Sequence, residues 1–243
     1  MASPLDLKGK SVLVTGATGA LGRVVVKRLL AAGADVAAVH RDEEKLRELR
    51  DFAGGTPGAL DGFKADVGSE AEIAAMVQSV LVRYGRIDAL LNLAGGYRGG
   101  TGIAETPEAD WDLMIRTNLK SAFLCSRAVL PAMLKAGRGR IVNVAARPAV
   151  ESKGRARSGA YAVSKAGVVA LTLTIAEETR TTGITANCVV PGTIDTPENR
   201  AAIPGGDPAK WAAPDAIADI LLFIVSDASS VISGAVIPVY GRS

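Results

Sequence analysis

Short apolar runs rich in β-branched residues alternate with longer amphipathic segments along the whole chain, and that alternation leaves few folds open. The runs lie at residues 11–15, 36–39, 63–65, 87–91, 140–144, 184–189 and 235–239. Helical periodicity covers 20–32, closed by Gly33, then 42–52, 70–84, 107–116, 119–136 and 160–181. Residues 54–62 read as turns, 95–102 as a glycine-rich loop, and 191–214 as a Pro/Gly-rich stretch before one last helix. Strands separated by helices join through right-handed crossovers into a parallel sheet. Strands of such a sheet are buried on both faces, which explains runs without polar alternation. Aromatic residues are only 4% of the chain against 48% hydrophobic, so small and branched aliphatic residues must build the helix–sheet core. The expectation is α/β: a doubly wound parallel sheet of about seven strands in a single domain over residues 1–243. No linker-like shift in composition and no internal repeat divides it.

The same sequence excludes several function classes. The net charge of +3 is dispersed, with no basic stripe or motif for nucleic acid. His40 is the only histidine, which argues against a Ser-His-Asp triad or a histidine-rich metal site. Cys125 and Cys188 stand in apolar contexts without metal-ligand spacing, and read as reduced core cysteines of a cytosolic protein. The N-terminus is too polar for a signal peptide and no run approaches a membrane span, so the expected location is cytoplasmic.

Thr15-Gly16-Ala17-Thr18-Gly19-Ala20-Leu21-Gly22 follows a strand and opens a helix. The exposed N–H groups of such a helix start can hold a pyrophosphate if no side chain blocks the approach. Gly16 permits the tight turn, Gly19 the approach of the ligand, and Gly22 the packing of helix on strand. The alternative is a glycine-tolerant turn, but the strand–loop–helix context points to a Rossmann fold with Gly16, Thr18, Gly19 and Leu21 against a dinucleotide. After the second strand the chain reads Val39-His40-Arg41, without the carboxylate that usually binds the ribose 2′-hydroxyl of NAD. Arg41 can instead meet a 2′-phosphate, which favours NADP(H) over NAD(H). It could equally be a surface residue of the helix start, or stack on adenine without selecting the phosphate.

Tyr161-Ala162-Val163-Ser164-Lys165 places a phenol and an ammonium four residues apart on one helical face. A nearby positive charge lowers a tyrosine pKa toward the range needed for proton exchange. With the glycine loop at its N-terminus, the chain resembles the short-chain dehydrogenase/reductase family over nearly its whole length. The resemblance implies the strand order 3-2-1-4-5-6-7. It further implies adenine contacts from Asp66 and Val67, and cofactor contacts from Asn92, Ala94 and Gly95 within Asn92-Leu93-Ala94-Gly95. Asn118 would hold a relay water to lysine, and Pro191-Gly192-Thr193 would contact the nicotinamide carboxamide. Taken alone, Asn118 could be a helix cap and Pro191-Gly192 a turn. The family's oligomers imply a homotetramer or dimer built on the two long helices. The glycine spacing departs from the commonest short-chain form, which has glycine where Ala20 stands.

A larger departure follows the fifth strand. Where the family carries a serine that hydrogen-bonds the substrate oxygen, this chain reads Asn143-Val144-Ala145-Ala146, so the matching residue is Ala146. The segments 94–100 and 195–200 and the loop before Trp211 resemble the quinonoid dihydropteridine reductase branch, which also lacks that serine. The expectation is hydride transfer to a small unsaturated electrophile, a quinonoid dihydropteridine or quinone. Tyr161 would be the acid, Lys165 would support it and bind the nicotinamide ribose, and Tyr97, Thr193, Asn199 and Trp211 would shape the pocket. One alternative is a carbonyl or 3-oxoacyl reductase in which Ser158 or Ser152 supplies the hydroxyl. Another is a non-catalytic, dinucleotide-binding redox sensor.

Overall fold

In the computed structural model, which describes residues 5–242, the apolar runs form seven parallel strands in one sheet. They are β1 (Ser11–Thr15), β2 (Asp35–His40), β3 (Leu60–Lys64), β4 (Ala89–Asn92), β5 (Gly139–Val144), β6 (Ile184–Pro191) and β7 (Val236–Val239). The order β3-β2-β1-β4-β5-β6-β7 is the expected one. Residues 1–4 and 243 of the expected domain lie outside the described residues.

Each central strand sends alternate residues to opposite faces. Val12 and Val14 pack against α1 (Ala20–Ala31), α2 (Glu43–Ala53) and α9 (Pro214–Val225) through Val26, Leu29, Leu49 and Ile217. Leu13 turns to the other face, shared with Ile73 of α3 (Glu70–Tyr84), Met133 of α5 (Ser121–Ala136) and Ile175 of α7 (Gly159–Glu178). By length and composition α7 could cross a membrane, yet Val168, Thr172 and Ile175 bury it on the sheet.

Three expectations at element level need correction. The third strand begins at Leu60 rather than within 63–65, because pairing with β2 from Val36 onward overrides the turn-like Asp61-Gly62. A side chain at Gly62 would collide with Leu46, so the glycine marks helix packing and not a turn. The helices expected at 107–116 and 119–136 form one rod, in which α4 (Glu108–Met114) continues through a π-helical turn at Ile115–Lys120 into α5. The stretch expected to be irregular contains α8 (Pro197–Ala202), capped by the Thr196 side chain on Asn199 N–H, and α6 (Arg147–Val150) follows β5. β1 and β4 are neighbours while their chains continue to opposite sides of the sheet. The crevice beyond their C-terminal ends is where such sheets receive ligands.

Candidate active site

The glycine loop builds a cradle without side chains. Gly16 has φ 65°, and a Cβ there would lie 2.7 Å from the Ala94 nitrogen. At Gly22 a Cβ would overlap the Gly16 carbonyl, so α1 could not pack so close behind the loop. Gly19 caps α1 with no side-chain hydrogen bond, which leaves first-turn N–H groups for an anion. Thr18 and Leu21 flank this opening, both half-buried. Thr15 Oγ1 accepts from Ala94 N at 3.2 Å and ties the loop to the strand beyond.

At the end of β2, His40 is buried with an unpartnered Nδ1, while Arg41 after it is exposed. Asp66 is engaged: Arg116 reaches its Oδ2 at 2.6 Å and Gly68 N–H its Oδ1 at 2.9 Å. Val67 beside it is half-buried. Asn92 donates to Asn143 Oδ1 at 2.8 Å and Ser126 Oγ at 3.2 Å, while its own Oδ1 is buried without a partner. Its amide therefore braces β4 against β5 and α5. A Cβ on Gly95 would stand 3.0 Å from Asn118 Oδ1 and 3.2 Å from Lys165 Nζ.

Tyr161 and Lys165 lie on the first half of α7. The Lys165 ammonium donates to the Val144 carbonyl at 2.8 Å. Burial brings its pKa down from 10.5 to about 8. Burial, and then the neighbouring Tyr97, pushes the Tyr161 phenol up to about 12. The expected lowering of Tyr161 by Lys165 is not found, because the ammonium is drawn to the end of β5 instead of to the phenol. Tyr161 therefore holds its proton through neutral pH, and Lys165 loses its charge as pH rises through about 8.

Asn118 sits inside the π turn, so the helix-cap alternative falls. Its Oδ1 accepts from Gly96 N–H at 2.8 Å, and its Nδ2 donates to Gly96 O at 3.1 Å and Ser164 Oγ at 3.0 Å. Ser164 donates onward to the Tyr161 carbonyl at 2.8 Å. The Asn118 side chain thus fastens the loop after β4 to α7. Inserting a π turn frees backbone groups from the regular ladder, a common feature of functional sites. Ser164 and Thr15 were missed by motif reading, although one lies inside the Tyr-x-x-Ser-Lys run and the other directly precedes the glycine loop.

The pocket residues divide. Tyr97 stands edge-on to Tyr161, with ring centroids 5.0 Å apart and planes at 77°. Thr193 is half-buried directly after Pro191 and Gly192 at the end of β6. Of the other two, Asn199 donates to Ile194 O at 2.8 Å, and the Trp211 indole packs where a Gly206 side chain would stand. Ala146 is buried. Ser158 donates to Gly154 O at 2.6 Å and Arg155 O at 3.0 Å, which commits its hydroxyl to local turns, and Ser152 is exposed.

A profile described as short chain dehydrogenase matches residues 10–205. The chain belongs to the short-chain dehydrogenase/reductase family. It is 36% identical over 245 residues to the (2S)-[(R)-hydroxy(phenyl)methyl]succinyl-CoA dehydrogenase subunit BbsD of Thauera aromatica, covering 98% of this chain and 97% of the relative. It is also 36% identical over 248 residues to the 3-oxoacyl-[acyl-carrier-protein] reductase FabG of Thermotoga maritima, with 98% of both chains covered. Among solved structures, NAD+-bound xylitol dehydrogenase superposes with a TM-score of 0.89 at 28% identity, over 97% of this chain and 99% of the other. The protein is accordingly an NAD(P)-dependent oxidoreductase acting on small molecules, which sets aside the non-catalytic sensor. The side-chain-free cradle and the uncapped start of α1 fit a dinucleotide in this short-chain dehydrogenase.

Proposed function

We propose that the protein is an NADP(H)-dependent carbonyl reductase whose substrate is a ketone of the 3-oxoacyl thioester type. The observation that carries this reading is the pairing of Tyr161 with a buried Lys165 one turn later on α7, the ammonium held on the Val144 carbonyl at the end of β5. Relatives named for acyl-thioester substrates over nearly the full chain support the ketone. So does the segment between Ala146 and Tyr161. It carries Arg147, Lys153, Arg155 and Arg157 against Glu151 alone, and suits a substrate bearing negative charge.

The dinucleotide, when bound, supplies the hydride. Gly16, Thr18, Gly19 and Leu21 would hold its pyrophosphate on the start of α1. Arg41 would meet the 2′-phosphate, and Asp66 and Val67 the adenine. The edge formed by Asn92, Ala94 and Gly95 would flank the ribose reached by Lys165, and Pro191, Gly192 and Thr193 the carboxamide. Tyr161 donates its proton to the carbonyl oxygen. Lys165, charged below pH 8, replenishes that proton, while Asn118 keeps the Gly96 loop and α7 in register.

One observation favours a second electrophile. Ala146 offers no hydroxyl, and an activated ring such as a quinonoid dihydropteridine or quinone develops a less localised oxyanion than a ketone. The proposal includes a cytoplasmic setting, where Cys125 and Cys188 stay reduced; burial pushes these thiols up to about 12 and about 11. It also includes self-association through α5 and α7, whose Phe123, Leu134, Val163 and Leu173 are exposed. Turnover of acetoacetyl thioesters, simple ketones, a quinonoid dihydropterin and benzoquinone with NADPH or NADH tests the reading, with light scattering for the oligomer. Strong ring reduction with inert ketones overturns the thioester assignment, and a preference for NADH overturns the role of Arg41.

A further inference from the structure

The absent serine leaves a question of chemistry. A ketone oxygen that gains negative charge is served best by more than one donor, and Ala146 supplies none. Ser158 and Ser164 are committed to backbone carbonyls. We propose that Tyr97 is a catalytic residue that replaces the missing serine, its phenolic O–H hydrogen-bonding the substrate oxygen alongside Tyr161. The proposal rests on the carbonyl-reductase reading.

Four observations meet at this residue. Its ring lies edge-on to Tyr161, 5.0 Å between centroids, so it borders the phenol proposed above as the acid. Among the described residues no hydrogen bond engages its hydroxyl, and the residue is 61% exposed, open to a ligand entering the cleft. The two phenols sense each other electrostatically, since Tyr97 contributes to raising Tyr161. Finally, the loop that carries Tyr97 is anchored to the segment leading into α7. Gly100 N–H donates to Arg157 O at 2.7 Å, and the Arg157 guanidinium returns a hydrogen bond to Gly100 O. Ile103 packs on Gly159, and the Tyr97 hydroxyl lies over Gly99, where a side chain would collide with it. Arg157 itself has φ 60°, an unusual conformation for a non-glycine residue, so strain is tolerated where the clamp forms.

The step balances simply. The carbonyl carbon gains the hydride supplied by the reduced dinucleotide, the C=O π pair moves to oxygen, and oxygen takes the Tyr161 proton. Tyr97 keeps its own proton and acts only as a donor. An aromatic hydroxyl on the loop after β4 would thus take the part of a serine at the end of β5.

The test measures kcat and KM of the parent, Tyr97→Phe, Ala146→Ser and the double variant on whichever electrophile of the panel the parent reduces best. Phenylalanine keeps the edge contact, so melting temperature and dinucleotide Kd should hold. Tyr97→Phe should lower kcat on the order of a hundredfold with KM within about threefold, as expected for one lost oxyanion donor. Adding Ala146→Ser to it should restore at least about tenfold, more than the same substitution gives in the parent, because the two hydroxyls serve one oxygen. Unchanged kcat in Tyr97→Phe, or no recovery in the double variant, overturns the proposal. Failure of the parent on every ketone overturns the carbonyl reading instead, and is seen before any variant is compared.

Discussion

Replacing Lys165 by methionine should stabilise the dinucleotide-free protein at neutral pH while abolishing its activity. The ammonium is buried at the end of β5, with one carbonyl partner, Val144 O at 2.8 Å. Desolvation lowers its pKa from 10.5 to about 8. At about 1.4 kcal/mol per pH unit, that gap represents about 3 kcal/mol against the charged form. Methionine keeps the straight chain and most of the volume but removes the charge. It also loses a charge-assisted hydrogen bond worth about 1.5–3 kcal/mol. The net gain is about 1 kcal/mol at pH 7, or about 2–4 °C in Tm for a domain of this size.

The pH dependence gives the sharper test. Between pH 8 and 10.5 the unfolded parent binds more protons at Lys165 than the folded parent, so parent stability rises with pH through that window. The variant lacks this contribution, and its advantage should shrink above pH 8 and reverse by about pH 10.5. Thermal melts of both proteins from pH 7 to 10.5, after removal of bound dinucleotide, measure the crossing. A variant that melts below the parent at pH 7, or a difference that stays constant across the window, would refute desolvation as the dominant force on Lys165.

Tyr161→Phe should leave dinucleotide Kd within about threefold and reduce kcat by about a hundred- to ten-thousand-fold, the usual cost of losing a positioned acid; unchanged kcat on a carbonyl removes Tyr161 from the chemistry. Gly22→Ala places a methyl against the Gly16 carbonyl, so Tm should fall and dinucleotide binding weaken together, by about 1–3 kcal/mol of overpacking; a well-folded variant with normal Kd contradicts the cradle. Arg41→Ala should weaken NADPH about tenfold or more and leave NADH nearly unchanged, read by fluorescence titration of both. Asn118→Leu cuts both links to Gly96 and the bond to Ser164, and should raise amide exchange in the 95–102 loop while lowering kcat; an unchanged loop would place the coupling elsewhere.

The amino-acid pattern alone sets the layered architecture, because buried parallel strands must be continuously apolar and their covering helices amphipathic, and both patterns are local. It determined the glycine cradle for the same reason, since a missing side chain is visible in the letters whatever surrounds it. The Tyr161–Lys165 pair was likewise legible, four residues apart on one helix. Distances and partners depend on packing between elements far apart in the chain. The letters put Lys165 next to Tyr161, but a carbonyl at the end of β5, distant in sequence, captures the ammonium. They singled out Asn118, but only the fold shows that a π turn aims its amide at Gly96 and Ser164. They offered Ser158 as a spare hydroxyl, which local turns then occupy with Gly154 and Arg155. Asp61-Gly62 looked like a turn until β2 supplied hydrogen-bond partners. Polar groups take their partners from whatever the fold brings within about 3 Å, and sequence spacing cannot report neighbours contributed by another element.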